Sequence, residues 1–321
     1  MPSFSIGGAI SYEGEDEKME IFQLILSKIG TMYSLIIIGF ILYKVKIINN
    51  KIVEKLTFLL VWIINPIIIM AQYQTEFSEE KLFQLGISFI FSFLAMTLGF
   101  ILAIKISKNN TERLGIGFPN GGFIGIPLIS SIIGVHGVFY LSAYLTVFNL
   151  YAYTYGIYLV TKKTTYISFK KIMKNPGIIA VITGILMFIF SVRLPSFLNV
   201  VSDVGIKLNT PLAMIVLGTY IAGMDIVKLI TDKKIYFISF IKLTVVPVIT
   251  LLFFMLFPFV EPEIRQVVLL ATCTPVGLTA PLYSQLFGGD YIHAARLVGL
   301  STILSIITIP MFVYIMEMTI R

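Results

Sequence analysis

The sequence predicts an all-α polytopic membrane protein: ten transmembrane helices as two inverted five-helix repeats, with broken crossover helices at the fourth and ninth positions. Three observations predict it. Of 321 residues, 57% are hydrophobic and only 13% charged, whereas a soluble domain carries about 25% charged residues. Apolar runs long enough to cross a roughly 30 Å hydrocarbon core, about 20 residues each, recur along the whole chain. Gly/Pro clusters break two of those runs, one in each half of the chain.

The runs lie at 21–44, 56–74, 82–106, 112–135, 137–161, 176–193, 199–223, 235–258, 262–287 and 291–317. Before the first of them, residues 1–20 lack a basic head, an apolar core and a small-residue cleavage site, so the first span is expected to target the chain by itself. Alternate loops hold the basic residues: Lys44, Lys46, Lys51 and Lys55; Lys105, Lys108 and Arg113; Lys162, Lys163, Lys170, Lys171 and Lys174; Lys228, Lys233 and Lys234. The other loops hold little beyond Lys81, Arg193 and Arg265. Cytoplasmic loops carry the Lys/Arg excess, so both termini are expected to be extracytoplasmic, with the acidic head Glu13, Glu15, Asp16, Glu17 and Glu20 on that side. The net charge of +7 then follows from topology, with some attraction to anionic lipid, and needs no nucleic acid. A single cysteine, Cys273, excludes an intramolecular disulfide and a multi-cysteine metal site, and a free core thiol is its expected role.

Two halves are visible in the motifs. PLISSIIG at Pro127 to Gly134 matches PLYSQLFG at Pro281 to Gly288 at an offset of 154, and Asn65-Pro66 finds a counterpart in Thr210-Pro211 at an offset of 145. Five spans per repeat is odd, so the second copy enters the membrane upside down, the inverted arrangement of secondary transporters. The expected layout is an extracytoplasmic segment at 1–20, a first repeat at 21–161, a basic cytoplasmic linker at 162–175 and a second repeat at 176–321.

The fourth run contains GFPNGGFIGIPL and the ninth ATCTPVGLTAPLYS. Glycine weakens a helix and proline removes a donor, which lipid cannot compensate, so such breaks are tolerated only against protein or a water-filled cavity. The two broken helices are therefore expected to cross near the midplane. Pro127 and Pro281 are each expected in the first turn of a second half-helix, where a missing N–H is harmless. Half-helix N-termini then aim N–H groups and positive dipole ends at the crossing, which favours an anion such as a carboxylate.

PNGGFIGIPL resembles the P-N-x-x-x-x-G-x-P-L signature of the fourth helix of the auxin efflux carrier superfamily, which includes plant PIN carriers and bacterial malonate-type transporters. TPVGLTAPLYSQLFGGD with STILSIITIP is similar to that family's ninth and tenth helices, and NPIIIMAQ and TPLAMIVLG to its second and seventh. The resemblance implies a fold related to bile-acid symporters and sodium/proton antiporters, with a scaffold and a transport domain that move against one another. It implies that Asn120 contacts a substrate carboxylate, and that the protein forms a homodimer. The long cytosolic loop of many plant members is absent, so auxin itself is not implied.

Within this frame the candidate substrate-binding residues are Asn120, Gly121, Gly122, Gly125, Pro127, Asn65, Thr274, Pro275, Thr279 and Pro281. Asn120 suits both ligand contact and capping of the second half-helix. The glycines chiefly permit close crossing, and Asn65 suits freed backbone better than substrate. The hydroxyls of Thr274 and Thr279 either reach a ligand or bond back to their own helix. The stripe Asn149, Tyr151, Tyr153 and Tyr155 reads best as an interfacial belt. Charges within spans are candidates for coupling or gating: Asp203 and Lys207, four apart on one face and able to pair, and Lys242, deeper in the eighth run, where packing toward the inner interface competes with a functional role. Lys28 and Arg296 are expected at the interface. Asp225 and Glu317 fall at span ends, so no carboxylate pair lies at mid-membrane, which disfavours a paired-aspartate antiporter.

An enzyme is disfavoured because His136 and His293 fall at loop ends on opposite sides and no HExxH or GxSxG occurs. The expected function is secondary transport of a small organic anion, a mono- or dicarboxylate, by alternating access, with no cofactor beyond a coupling proton or sodium ion. The expected location is a bacterial inner membrane. A channel or nutrient sensor on the same scaffold is the alternative.

Overall fold

A computed structural model describes residues 27, 30–134, 136–223, 231–287 and 289–320. The segment 1–20, Lys28, Asp225 and Lys228 lie outside the described residues. Among those described, the chain runs through α1 (Gly30–Lys44), α2 (Asn50–Ala71), α3 (Glu79–Ile106), α4a (Asn110–Gly117), α4b (Gly121–Ile132), α5 (137–161), α6 (Pro176–Ile189), α7 (Ser196–Ala222), α8 (Lys233–Met255), α9a (Pro262–Cys273), α9b (Thr279–Phe287) and α10 (Tyr291–Thr319). Of these, α2, α3, α7, α8 and α10 are each long and apolar enough to cross a membrane, and α1, α4b and α6 are shorter apolar helices.

Caps, more than hydropathy, set where the helices begin. The side chains of Asn49, Ser78, Asn109, Asn175, Asp232 and Asp290 each accept from a backbone N–H in the first turn that follows, satisfying donors that have no intrahelical partner. Asn49 accepts from Ile52 at 3.1 Å, and α2 therefore starts six residues before its apolar run, at Asn50 rather than at 56.

Three prolines inside helical segments share one device. A wide π-turn at Leu60–Ile64 precedes Pro66, one at Gly121–Gly125 precedes Pro127, and one at Ile241–Val245 precedes Pro247. A proline ring collides with the carbonyl four residues back. In all three cases that carbonyl belongs to the π-turn, whose altered pairing moves it aside. Pro127 consequently lies six residues into α4b, and the expectation that it sits in the first turn is corrected. Pro281, the third residue of α9b, does sit in a first turn.

The helices pack in two groups. One contains α2, α6 and α7, with α1 against α7; the other contains α3, α4a, α5, α8, α9a, α9b and α10; the two touch where α5 packs on α2 and α6, and α4b, packed on α5 and α9a, also touches α7. The α1–α7 contact is backbone to backbone: a Cβ on Gly39 would lie 2.1 Å from the Ile215 carbonyl oxygen, and one on Gly218 would lie 2.0 Å from that of Ile36. Only glycine allows this approach. The lysine-rich ends of α4a, α8 and α10 are tied by buried Glu112, 2.7 Å from Lys234 Nζ, 3.1 Å from His293 Nε2 and 2.5 Å from the Ser107 hydroxyl. At the other end Arg265, expected in a loop, is buried in the first turn of α9a.

Candidate functional site

Both breaks are extended backbone, and they meet. After α4a, Pro119 forms an antiparallel bridge with Val276 of the segment after α9a. The Asn120 N–H donates to the Pro275 carbonyl at 2.8 Å, and the Gly277 N–H donates to the Phe118 carbonyl at 2.8 Å. The Val276 N–H donates to Ser301 Oγ of α10 at 3.1 Å. Groups that two broken helices would leave unpaired in an apolar interior are thus satisfied by each other. Gly277 is required by this approach, because a Cβ there would lie 2.8 Å from the Pro119 carbonyl oxygen.

Asn120 sits where the two strands of backbone part. It is 3% exposed. Its Oδ1 accepts from the Phe123 N–H at 3.3 Å, capping α4b, while its Nδ2 is buried with no partner. Capping uses only half of the amide, and the other half is an unsatisfied donor, a state that costs about 1–3 kcal/mol unless something accepts from it.

The acceptor has room. A cavity of about 960 Å³ extends from Asn120, Gly121, Gly122 and Gly277 to the exposed residues Asn50, Gly223 and Tyr291. One wall belongs to α1, α2, α6 and α7 (Tyr43, Asn65, Pro176, Tyr220), the other to α4b, α5, α9b and α10 (Gly122, Phe148, Tyr283, Arg296). It therefore lies between the two packing groups and runs toward the end of the bundle that carries the lysine-rich segments.

Six of the ten candidates line this cavity: Asn120, Gly121, Gly122, Asn65, Thr279 and Pro281. Asn65 carries a buried Oδ1 with no partner, and its Nδ2 lies 3.8 Å from where a Cβ on Gly122 would be. The other four stand behind the wall. Thr274 is fully buried and donates back to the Ala271 carbonyl at 2.7 Å, so its hydroxyl belongs to its own helix. Pro275 supplies the carbonyl that receives Asn120, Gly125 packs against Thr274, and Pro127 is buried in α4b.

The charged candidates separate. Asp203 and Lys207 are both exposed on α7 and no ion pair joins them; the buried stripe of that helix is Ser202, Gly205 and Asn209, on another side. Lys242 does not reach an interface. It is 1% exposed, and its Nζ donates to the Thr272 carbonyl at 3.2 Å, placing an ammonium at the C-terminal, negative end of α9a.

Other residues on the wall were not anticipated. Asn149 and Tyr153, read as part of an interfacial belt, line the cavity and accept from Asn175 Nδ2 at 3.3 and 3.2 Å. Tyr151 and Tyr155 instead stack around Phe100. Arg296, expected at the interface, is on the wall, as are Tyr283 and Glu54. Hydropathy reports depth along a helix but not which way a side chain faces, and that is why these were missed.

Residues 24–171 match the family described as Membrane transport protein, the auxin efflux carrier family, and residues 211–320 match the Sodium Bile acid symporter family. The chain is a membrane transporter whose first half carries the auxin efflux carrier pattern. Both matches, with the long apolar helices, make it an integral membrane protein. The first match contains Asn65 and the whole of α4a and α4b; the second contains α8, α9a, α9b and α10. No curated protein matches this chain.

Proposed function

We propose that this transporter moves a small organic anion by alternating access, binding it where the two breaks meet. The carrying observation is Asn120, whose Oδ1 caps α4b while its buried Nδ2 is left unpaired on a cavity wall. Gly121 and Gly122 open α4b beside it, where a helix's first N–H groups have no intrahelical acceptor and its dipole favours negative charge. Thr279 and Pro281 open α9b on the same wall. Donors without a fixed acceptor, and a positive potential made by helix ends, suit a carboxylate.

On this reading the ten helical segments are ten spans in two inverted repeats, 21–161 and 176–321, joined by the basic linker 162–175, with both termini extracytoplasmic in a bacterial inner membrane. The cavity then faces the cytoplasm, and movement of one packing group against the other exposes the site on the opposite side. Lys242 takes the coupling role in preference to Asp203 and Lys207, since it lies behind the crossing and they lie outside the bundle. Homodimerisation belongs to the same family-based reading.

Flux of labelled malonate, malate, lactate and indole-3-acetate into proteoliposomes tests it, with wild type and Asn120→Ala, and with and without imposed pH or sodium gradients. Saturable flux with counterflow, lost in the variant, is expected. Binding without flux would favour a sensor, and conductance without saturation a channel.

A further inference from the structure

Alternating access, on which this inference rests, requires the end of the bundle away from the cavity mouth to be closed while the cavity is open. Among the described residues, two hydroxyl pairs bridge the packing groups on that side. Tyr73 Oη, just past the end of α2, meets Ser142 Oγ of α5 at 2.5 Å, and Tyr33 Oη, in the first turn of α1, meets Ser305 Oγ of α10 at 2.8 Å. Tyr43 and Asn50, at the opposite ends of α1 and α2, line the cavity, and none of the four paired residues does. A serine hydroxyl carries one hydrogen. Ser142 gives its own to the Phe139 carbonyl at 2.6 Å, and Ser305 gives its own to the Thr302 carbonyl at 2.7 Å. In both pairs the tyrosine is therefore the donor and the serine the acceptor, so the two contacts are one device used twice. Around the first, the closure is aromatic: Tyr73 is 1% exposed, its ring meets that of Phe139 edge-on with centroids 5.1 Å apart, and Phe188 of α6 packs on Phe139. Beside the second, buried Leu128 of α4b lines a small apolar gap with Met32, Tyr33 and Met214.

We propose that Tyr33 and Tyr73 are latches that hold the far side closed, and that their two donated hydrogen bonds set how often the boundary opens there. The chemistry suits a contact that must break and re-form in every cycle. Both partners are neutral, and water can replace either one when the groups part, so the bond weighs on the equilibrium without locking it as a buried ion pair would. The latch can also be removed cleanly. Phenylalanine at either position keeps the ring in place and strands no polar hydrogen, because the serine still donates to its own carbonyl. What is lost is the one bond between the packing groups.

The rate at which a membrane-impermeant maleimide labels Leu128→Cys, in a Cys273→Ala background of the purified full-length protein, tests this, because Leu128 is reached only when the far side opens. Tyr33→Phe and Tyr73→Phe should each raise the rate about 2- to 10-fold, the population shift that one neutral hydrogen bond makes. Together they should raise it by the product of the two factors, since the bonds share no partner. Tyr151→Phe, whose hydroxyl meets Thr97 within one packing group, should leave it unchanged. Labelling that rises in neither latch variant, whether or not the unfolding midpoint falls, overturns the latches and makes the two bonds ordinary packing. An equal rise in Tyr151→Phe overturns them too, since it reports general loosening. Flux of labelled malonate, malate, lactate or indole-3-acetate through wild type that neither saturates nor shows counterflow sinks the alternating-access reading itself, and this inference with it.

Discussion

On the proposed function Asn120 has two jobs, the cap through Oδ1 and the ligand through Nδ2, and substitution can separate them. Asn120→Ala removes both. Loss of the cap on α4b costs about 1 kcal/mol of stability, and loss of the donor to a carboxylate costs a further 1.5–3 kcal/mol of binding, about 10- to 150-fold in Kd. Asn120→Asp keeps an oxygen facing the Phe123 N–H, 3.3 Å away in the native geometry, and a carboxylate at a helix N-terminus is favourable. Stability should therefore stay within about 1 kcal/mol of wild type. Its second oxygen, however, replaces Nδ2 on the cavity wall and faces the bound anion. Two unit charges about 4 Å apart at an effective dielectric near 20 repel by about 4 kcal/mol, so affinity should fall on the order of 1000-fold. Thermal unfolding and calorimetric titration of the acid that wild type binds, on the same preparations, read the two effects independently. Asn120→Asp that binds like wild type would refute the assignment of Nδ2 to the ligand. So would two variants that share a loss of stability and no loss of binding.

Gly277→Ala should lower the unfolding free energy by about 2–4 kcal/mol, since its Cβ forces the Pro119 carbonyl away and breaks the paired bonds between the segments; a melting temperature equal to wild type would show that the crossing tolerates separation. Glu112→Ala should cost about 1–2 kcal/mol, chiefly by leaving half-buried His293 and buried Ser107 without their shared acceptor while mostly exposed Lys234 returns to water, read as a lower midpoint in thermal unfolding; the loss should be smaller in Glu112→Gln, and no loss in either would mean that the tie contributes nothing. Lys242→Met should leave acid binding within threefold while removing the response of flux to an imposed pH or sodium gradient; an undiminished response would take Lys242 out of the coupling role.

How much of this could be read in the sequence depends on what each signal measures. Composition and apolar length marked α2, α3, α7, α8 and α10, the helices long and apolar enough to cross a membrane, because both report transfer to hydrocarbon. Gly/Pro clustering located both breaks to within a residue or two, because few other contexts tolerate it. Pro127 was misplaced within its own helix since π-turns have no simple sequence code, and a wide turn at Gly121–Gly125 absorbs the proline that a half-helix start would otherwise have to accommodate. Arg296 and Tyr153 were assigned to an interface since their depth is compatible with one. Which wall a residue faces emerges only when α10 and α5 pack against their neighbours. Lys242 was a candidate from its depth, but its partner could not be read: the acceptor, the Thr272 carbonyl, lies 30 residues away on a helix end that exists only because α9 is broken.

The geometry of the crossing also constrains what can move. The Asn120 N–H, the Pro275 carbonyl, the Gly277 N–H and the Phe118 carbonyl satisfy one another in a buried setting, and parting them would cost about 1–3 kcal/mol for each group left unpaired. If the site alternates between two sides, the pair of breaks therefore travels as one piece with α3, α5, α8 and α10. On that reading the boundary that yields, which also holds the buried hydroxyl pair Tyr73–Ser142 at 2.5 Å, lies across the cavity, where Asn175, capping α6, reaches Asn149 and Tyr153 of α5 through bonds of 3.3 and 3.2 Å. Those bonds are neutral, half-exposed and replaceable by water, each worth about 1 kcal/mol net. Asn175→Ala should accordingly leave the crossing intact, with the buried Asn120 cap undisturbed, and change how readily the two packing groups separate. Cysteine cross-linking between positions 149 and 175, introduced into a Cys273→Ala background, measures that separation directly. Equal cross-linking with and without a transported acid would place the moving boundary elsewhere.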